Sequence, residues 1–400
     1  MTIETVKGFR DIFFDKALKR KYIRSIIEKN MNLFGFFPLE TPTIEYEDLL
    51  KGDNENDEAV SDRFRLQDRG KRELGLRFEF TFQLSRIFKE NPNIKLPFKR
   101  YEIGSVFRDE ALRPGKYREF TQCDADIVGD PSIKADSECI ALGFKILKDL
   151  NINAEIKVNN RKLMNSILDK SSINKNQQQI LRELDKLDKL GENEVKKNLS
   201  KYIKESQTKN IFDFLSKDID YFLKNKFNGA DEIKELIDYG NIYGYKISFT
   251  PTLMRGFSYY TGNVWEIWAK DKEVALAGGG RYDDKVGKYS NRNLPSVGIS
   301  FGTLLDWEDI KINENRLIII SLDQDKTTIE IANELRFNNI SCTIFYGKPS
   351  KALEYANSYN IDKVLFVGEE EVKKKKFKLK DLSSGKEEFL TITELQKKLN

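Results

Sequence analysis

The sequence predicts an α+β protein: an antiparallel-sheet domain carrying a helical insertion, followed by an α/β unit. Three observations predict this. Strand-like runs recur in hairpin order between residues 74 and 127, with helical runs beside them. From about Asn160 to Asn241 the composition shifts to helical periodicity without a proline. After residue 312, strand and helix alternate.

Each element has a local reason. Residues 13–34 set Ile23, Ile26, Ile27 and Met31 at helical spacing and stop at Gly35. The run from Phe36 to Tyr46 reads as a strand interrupted by Pro38 and Pro42, which predicts an edge or an interface. Strands are predicted over Leu74–Phe80, Lys99–Phe107 and Glu119–Ile127, and helices over Thr81–Phe88 and Ile133–Asp149. After the insertion, strands return at Tyr245–Phe249, Val264–Trp268 and Val274–Ala277. Beyond a linker at Trp307–Glu314, strands Leu317–Leu322, Cys342–Phe345 and Lys363–Val367 alternate with helices Thr327–Asn338 and Ser350–Tyr359. This predicts a parallel or mixed sheet. The basic run Lys373–Lys376, Lys378 and Lys380 reads either as a solvated turn or as a contact to RNA phosphate.

Composition excludes several classes of mechanism. The 400 residues contain no histidine, so Ser-His and Cys-His nucleophiles, histidine metal ligation and imidazole proton shuttling are impossible. The three cysteines are widely spaced and form no CxxC pair, which argues against a zinc knuckle or a redox dithiol. A formal net charge of +4 is compatible with RNA binding without suggesting it. No stretch approaches 18 apolar residues and the N-terminal residues carry charges, so a cytoplasmic protein without a membrane span is expected.

Chemistry concentrates in two stretches far apart in the chain. In Arg100–Gly129, Arg108 and Glu110 follow a strand and precede the Ala111–Lys116 loop. A second strand then presents Gln122, Asp124 and Asp126 on one face. Arginine at a strand end suits phosphate, because its planar fork gives two charge-assisted hydrogen bonds. A solvent-facing strand would carry the same alternation. The second stretch runs from Met254 to Glu266, with Arg255, Tyr259 and Tyr260, and continues in Ala277–Asp283 with three glycines that let backbone approach a ligand. There is neither a GxxxxGK[ST] loop nor a complete GxGxxG opening a helix, so Walker and Rossmann readings fail.

Phe107–Gly129 resembles motif 2 of class II aminoacyl-tRNA synthetases in its histidyl form. RGFSYYTG and AGGGRYD are similar to the two peptides peculiar to histidyl-tRNA synthetases. LETPTIE resembles the dimer-forming motif 1, and LRFEFT resembles that family's LRPExT peptide with Phe78 in place of proline. KGFRDIF is similar to its N-terminal peptide, and the C-terminal unit to its anticodon-binding domain.

The resemblance implies a class II catalytic domain over residues 1–312, with the insertion at about 160–241, and an anticodon-binding domain over 313–400. It implies a histidine–tRNA ligase that uses histidine, ATP as substrate, Mg2+ and tRNA(His), and that forms a homodimer. By position, Arg108 and Arg255 would be catalytic. Arg108, Glu110 and Arg281 would bind ATP. Glu79, Thr81, Gln122, Asp126, Arg255, Tyr259 and Tyr260 would bind histidine, with no metal held by the protein's own ligands. One departure stands out: Leu305 occupies the position of the motif 3 arginine that grips the γ-phosphate, leaving Arg113, Lys116, Arg281 or Arg292 as substitutes. That loss also admits a catalytically silent reading, as a paralogue like the ATP phosphoribosyltransferase regulatory subunit or as a tRNA-binding sensor.

Overall fold

The computed structural model describes residues 3–51, 62–113, 115–254, 259–290, 292–310, 312 and 316–399. The chain divides into two compact units. One is Met1–Asp11 with Tyr22–Trp307, and the other is Ile12–Lys21 with Glu308–Asn400.

The first unit contains strands β1 (Phe37–Pro38), β2 (Ile44–Tyr46), β3 (Arg65–Gln67), β4 (Glu73–Leu76), β5 (Phe98–Phe107) and β6 (Glu119–Val128). It continues with β7 (Ala154–Asn160), β8 (Ile247–Phe249), β9 (Asn263–Ala269), β10 (Val274–Arg281) and β11 (Ser296–Phe301). Eight of these make one sheet in the order β1-β5-β6-β11-β10-β9-β7-β8. Its central pairs, from β5 to β7, are antiparallel; only the outer pairs β1–β5 and β7–β8 are parallel. The predicted antiparallel sheet is present, but β7 and β11 carried weak sequence signals. β7 ends in two asparagines, and β11 has Gly298 at its middle.

One sheet face is covered by the helix Ile133–Asp149, whose Ile140, Leu142, Ile146 and Leu147 are buried. Gly143 sits so close to the sheet that a Cβ there would lie 2.6 Å from Ile267 and Ile299 side-chain carbons, so the helix needs glycine at that point. Beside the other sheet face, β6, β11 and β10 line a cavity through Gln122, Ser300 and Gly278. The insertion is helical as predicted, with helices from Arg161–Lys170 to Ala230–Tyr243. The helix predicted at 13–34 spans Phe14–Leu33 and buries Ile23, Ile27 and Met31.

The run predicted as a strand interrupted by Pro38 and Pro42 is two short strands in two different sheets. Its first part, β1, is the edge of the large sheet, and β2 joins a small sheet with β4 and β3. Between them the Glu102 carboxylate accepts from the Thr41 N–H (3.0 Å) and hydroxyl (2.8 Å), which draws the chain out of the ladder. The strand predicted over Leu74–Phe80 ends at Leu76.

The second unit is a five-stranded sheet of β12 (Leu317–Ser321), β13 (Cys342–Tyr346), β14 (Lys363–Val367), β15 (Phe377–Asp381) and β16 (Glu387–Leu390), in the order β13-β12-β14-β15-β16. Its first three strands are parallel and its last two antiparallel, a mixed sheet as predicted. Strand alternation feeds two apolar layers: Leu317, Ile319, Leu365 and Val367 pack with Ile331 and Leu335, while Ile318, Ile320, Val364 and Phe366 pack with Ala352 and Ala356. Lysines of the basic run are paired, Lys374 with Glu370 (2.9 Å) and Lys380 with Glu387 (3.1 Å). No helix among the described residues is long and apolar enough to cross a membrane.

Candidate active site

The cavity beside this face of the large sheet has a volume of about 440 Å³. The β5–β6 hairpin supplies Arg108, Glu110, Lys116, Tyr117, Phe120 and Gln122, while β9 to β11 supply Glu266, Gly278 and Ser300, with Tyr260, Thr303 and Asp306 completing the wall. Sheet register explains the floor. Gln122, Asp124 and Asp126 lie opposite Gly104, Glu102 and Arg100 on β5, and Asp124 and Asp126 lie opposite Ser300 and Gly298 on β11. Gly278 and Gly280 continue the same row on β10. The polar alternation read in the sequence is therefore not solvent-facing: Gln122 lines the cavity, and Asp124 and Asp126 are buried beside it.

Arg108 is held from three sides. Its Nε donates to the Phe78 carbonyl (3.2 Å), a terminal nitrogen lies 3.8 Å from Glu110, and the guanidinium stacks over Phe120 at 5.0 Å. Glu110 also faces the Lys116 ammonium at 3.4 Å. Arg108 keeps only a long contact, 3.5 Å, to the Gln122 carbonyl oxygen. Its fork is thus oriented and still available on the cavity side.

Behind the wall is a buried ionic cluster. Arg100, fully buried, reaches Asp126 at 2.7 Å and donates to the Phe80 carbonyl (3.1 Å), with Glu102 at 3.8 Å. The Tyr282 hydroxyl donates to Asp126, and Arg77 pairs with Glu102 at 3.1 Å. Gln122 donates to Asp124 (2.8 Å). Arg100 Nε and Nη1, Glu102 Oε2, Asp124 Oδ1 and Asp126 Oδ2 remain buried without hydrogen-bond partners. Burial pushes the Asp124 carboxyl up to about 7, and the neighbouring Asp126 charge adds to the effect. Asp126 is raised by burial too, against the pull of Arg100.

The other expected site residues are placed as follows. The Glu79 carboxylate accepts from the Thr81 (2.7 Å) and Phe82 (2.6 Å) N–H groups at the start of the helix Thr81–Glu90, and burial raises its pKa. Tyr259 packs edge-on to Tyr260 at 5.3 Å. Arg255 lies outside the described residues. Arg281 is not on the cavity wall. It is buried against Asp136, with further bonds to the Asp130 and Ser132 carbonyls (3.0 and 2.9 Å) and to Asp283 (3.3 Å). The glycine row puts Gly278 and Gly279 on the cavity wall, as expected of glycines that let backbone approach a ligand, and leaves Gly280 off it. A Cβ on Gly279 would lie 2.2 Å from the Gly298 carbonyl and one on Gly280 2.7 Å from the Tyr260 ring, so those glycines admit the protein's own neighbours. Gly278, with nothing closer than 3.7 Å, faces the cavity. Leu305 is buried in the turn Leu304–Asp306. Of its four expected substitutes only Lys116 lines the cavity; Arg292 donates instead to the Pro92 carbonyl at 2.9 Å.

Arg100, Tyr282, Glu266 and Arg10 escaped sequence reasoning. For Arg100 a signal existed, since Arg100 and Glu102 alternate in step with Asp126 and Asp124. For Arg10 none did: it stacks on Tyr117 at 3.6 Å and donates to Asp306 (2.6 Å), joining the N-terminal segment to the cavity rim.

The family model for histidyl-tRNA synthetase matches residues 8–303, and that for the anticodon binding domain matches residues 313–400. The chain is 35% identical to Histidine--tRNA ligase 1 of Bacillus cereus, with all of both chains covered. It is similar to the crystal structure of histidyl-tRNA synthetase from Nostoc sp. PCC 7120, with a TM-score of 0.87 and 25% identity, covering 100% of this chain and 99% of that one. It also shares the fold of a Bacillus halodurans structure described as an ATP phosphoribosyltransferase regulatory subunit/histidyl-tRNA synthetase. There the TM-score is 0.75 at 22% identity, over 88% of this chain and 96% of that one. With the cavity, the sheet that floors it and both domains matched along the chain, this protein belongs to the histidyl-tRNA synthetase family.

Proposed function

We propose that the chain is a histidine–tRNA ligase that activates histidine with ATP and passes the histidyl group to the 3′ end of tRNA(His). The observation that carries this is the shared cavity: Arg108, Glu110 and Gln122 from one stretch meet Tyr260, Glu266 and Gly278 from the other. Full-length likeness to histidine–tRNA ligases and the matched anticodon binding domain support it, and they disfavour a silent regulatory paralogue.

In the first step a histidine carboxylate oxygen attacks the α-phosphorus of ATP, and the bond to pyrophosphate breaks. Negative charge builds on the α-phosphate, so positioned cations matter more than an enzyme acid or base. Arg108 is oriented for that task, and Arg255 is its expected companion. Glu110 takes the adenine side of ATP. Lys116, the cavity-lining member of the expected substitutes, serves the outer phosphates in place of the arginine that Leu305 replaces. Arg281 takes a scaffold role, because its nitrogens are engaged by Asp136, Asp283 and two carbonyls. Gln122 and Glu79 with Thr81 hold the polar ends of histidine, and Asp126 with Tyr259 and Tyr260 forms the imidazole end. In the second step a ribose hydroxyl of the terminal adenosine attacks the activated carbonyl and AMP leaves.

Magnesium would enter on the ATP phosphates, where it neutralises charge. A homodimer is part of this reading. The segment expected to build the interface exposes Phe37 and Tyr46, and its β1 is an edge strand, a surface that asks for cover. The test of the function is aminoacylation of tRNA(His) with each of the twenty amino acids; charging with histidine alone is expected, and no charging would overturn the reading.

A further inference from the structure

The buried cluster behind the cavity has more carboxylate than it can neutralise. Arg77 and Arg100 face Glu102, Asp124 and Asp126 on β5 and β6, and Glu79 adds its charge near Arg100 from the helix start. Of the two aspartates on β6, Asp126 is engaged by Arg100 and by the Tyr282 hydroxyl. Asp124 accepts from Gln122, and the Ser300 hydroxyl also bonds its carboxyl, yet Oδ1 is buried without a hydrogen-bond partner of good geometry, as is Asp126 Oδ2 despite the nearby Arg100. Of its four same-face neighbours, Gln122 along the strand and Ser300 across it line the cavity, while Asp126 and Glu102 lie on the buried side. Burying a carboxylate oxygen without a donor is costly, even with the Arg100 charge nearby. The cost is repaid when a donor arrives from the cavity.

We propose that Asp124 is a specificity-determining residue of the amino-acid pocket, its Oδ1 accepting an imidazole N–H of the substrate. This deepens the histidine reading and rests on it. Imidazole offers an N–H at the end of a short stem, and carries two N–H groups and a positive charge when protonated. A second acceptor beside an already engaged Asp126 therefore selects a ring that donates, and an excess of buried carboxylate favours one that can hold a proton. Apolar side chains of similar size would leave Oδ1 unpaired, which is the strongest kind of discrimination a polar pocket exerts.

The test is Asp124→Asn in the full-length protein, assayed by histidine-dependent ATP–pyrophosphate exchange and by thermal unfolding at about pH 8, with free histidine as the probe. A ligand-facing role predicts a histidine KM raised about 10- to 100-fold, the range for losing a hydrogen bond to a charged group, with the ATP KM little changed. It also predicts that the variant without histidine is at least as stable as the parent, since one unneutralised buried charge is gone, and that histidine no longer raises its Tm. An unchanged histidine KM overturns the proposal. So does a variant that unfolds more readily than the parent, because that marks Asp124 as scaffold. A parent that exchanges with no amino acid, or with a different one, instead overturns the ligase reading on which the proposal rests; the parent's own trace tells the two failures apart.

Discussion

Two buried arginine–aspartate pairs sit on or beside the same sheet, Arg281 with Asp136 and Arg100 with Asp126, and they are finished differently. Around Arg281 every guanidinium nitrogen has an acceptor: Asp136, Asp283 and the Asp130 and Ser132 carbonyls. Asp136 in turn accepts from Asn263 at 3.3 Å. Around Arg100, two nitrogens and several nearby carboxylate oxygens have no hydrogen-bond partner. A closed network fixes backbone; an open one beside a cavity is half of a binding site. The contrast separates scaffold from site where the sequence does not, since Arg281 and Arg100 both fall within the two stretches that concentrate the chemistry.

The largest effect should come from the closed pair. Arg281→Ala leaves Asp136 buried without its cation and should destabilise the fold by about 3–5 kcal/mol in urea unfolding. A stable variant with only a raised ATP KM would return Arg281 to the nucleotide site. Next is Arg255→Ala, which should slow adenylate formation by about 10²–10³ with an unchanged urea midpoint, as expected for one lost transition-state donor. Near-normal exchange would remove Arg255 from the chemistry.

A third effect concerns pH. The carboxyls of Asp124 and Asp136 are pushed up to about 7 and about 6, above their unfolded value. Each therefore keeps a proton in the folded chain that the unfolded chain has released. Their contribution is fully present below about pH 4 and is lost as pH rises through about 7, the part lost between about pH 5.5 and 8 being roughly 1–3 kcal/mol. The chain has no histidine to mask this window. Urea midpoints of the substrate-free protein at about pH 5.5 and 8 check it; a midpoint that rises with pH contradicts the open network. The smallest effect is Lys116→Ala, expected to raise the ATP KM about two- to fivefold, since the ammonium is largely exposed and its pair with Glu110 is loose. No change would leave the Leu305 position without a substitute.

Much of this was legible beforehand, for identifiable reasons. The β5–β6 hairpin, the helical insertion and the mixed C-terminal sheet followed from periodicity, because each is locally consistent. The prolines in residues 36–46 signal the break and the edge position, but that the two parts join different sheets depends on a long-range contact, Glu102 capturing Thr41. At the site, Arg108, Glu110, Gln122 and Tyr260 reached the cavity as expected. Arg281 did not, since its partner Asp136 lies on a helix far away in sequence. The role of Gly279 and Gly280 in admitting Gly298 and Tyr260 was hidden for the same reason.

The account turns on the open network being the amino-acid pocket, and a crystal structure of the protein with bound histidine tests that directly. The imidazole is predicted within about 3 Å of the Asp124 and Asp126 carboxylates, with the histidine carboxylate directed toward Arg108. A histidine seated elsewhere in the cavity, with the Arg100 cluster still carrying its unpartnered atoms, would contradict it.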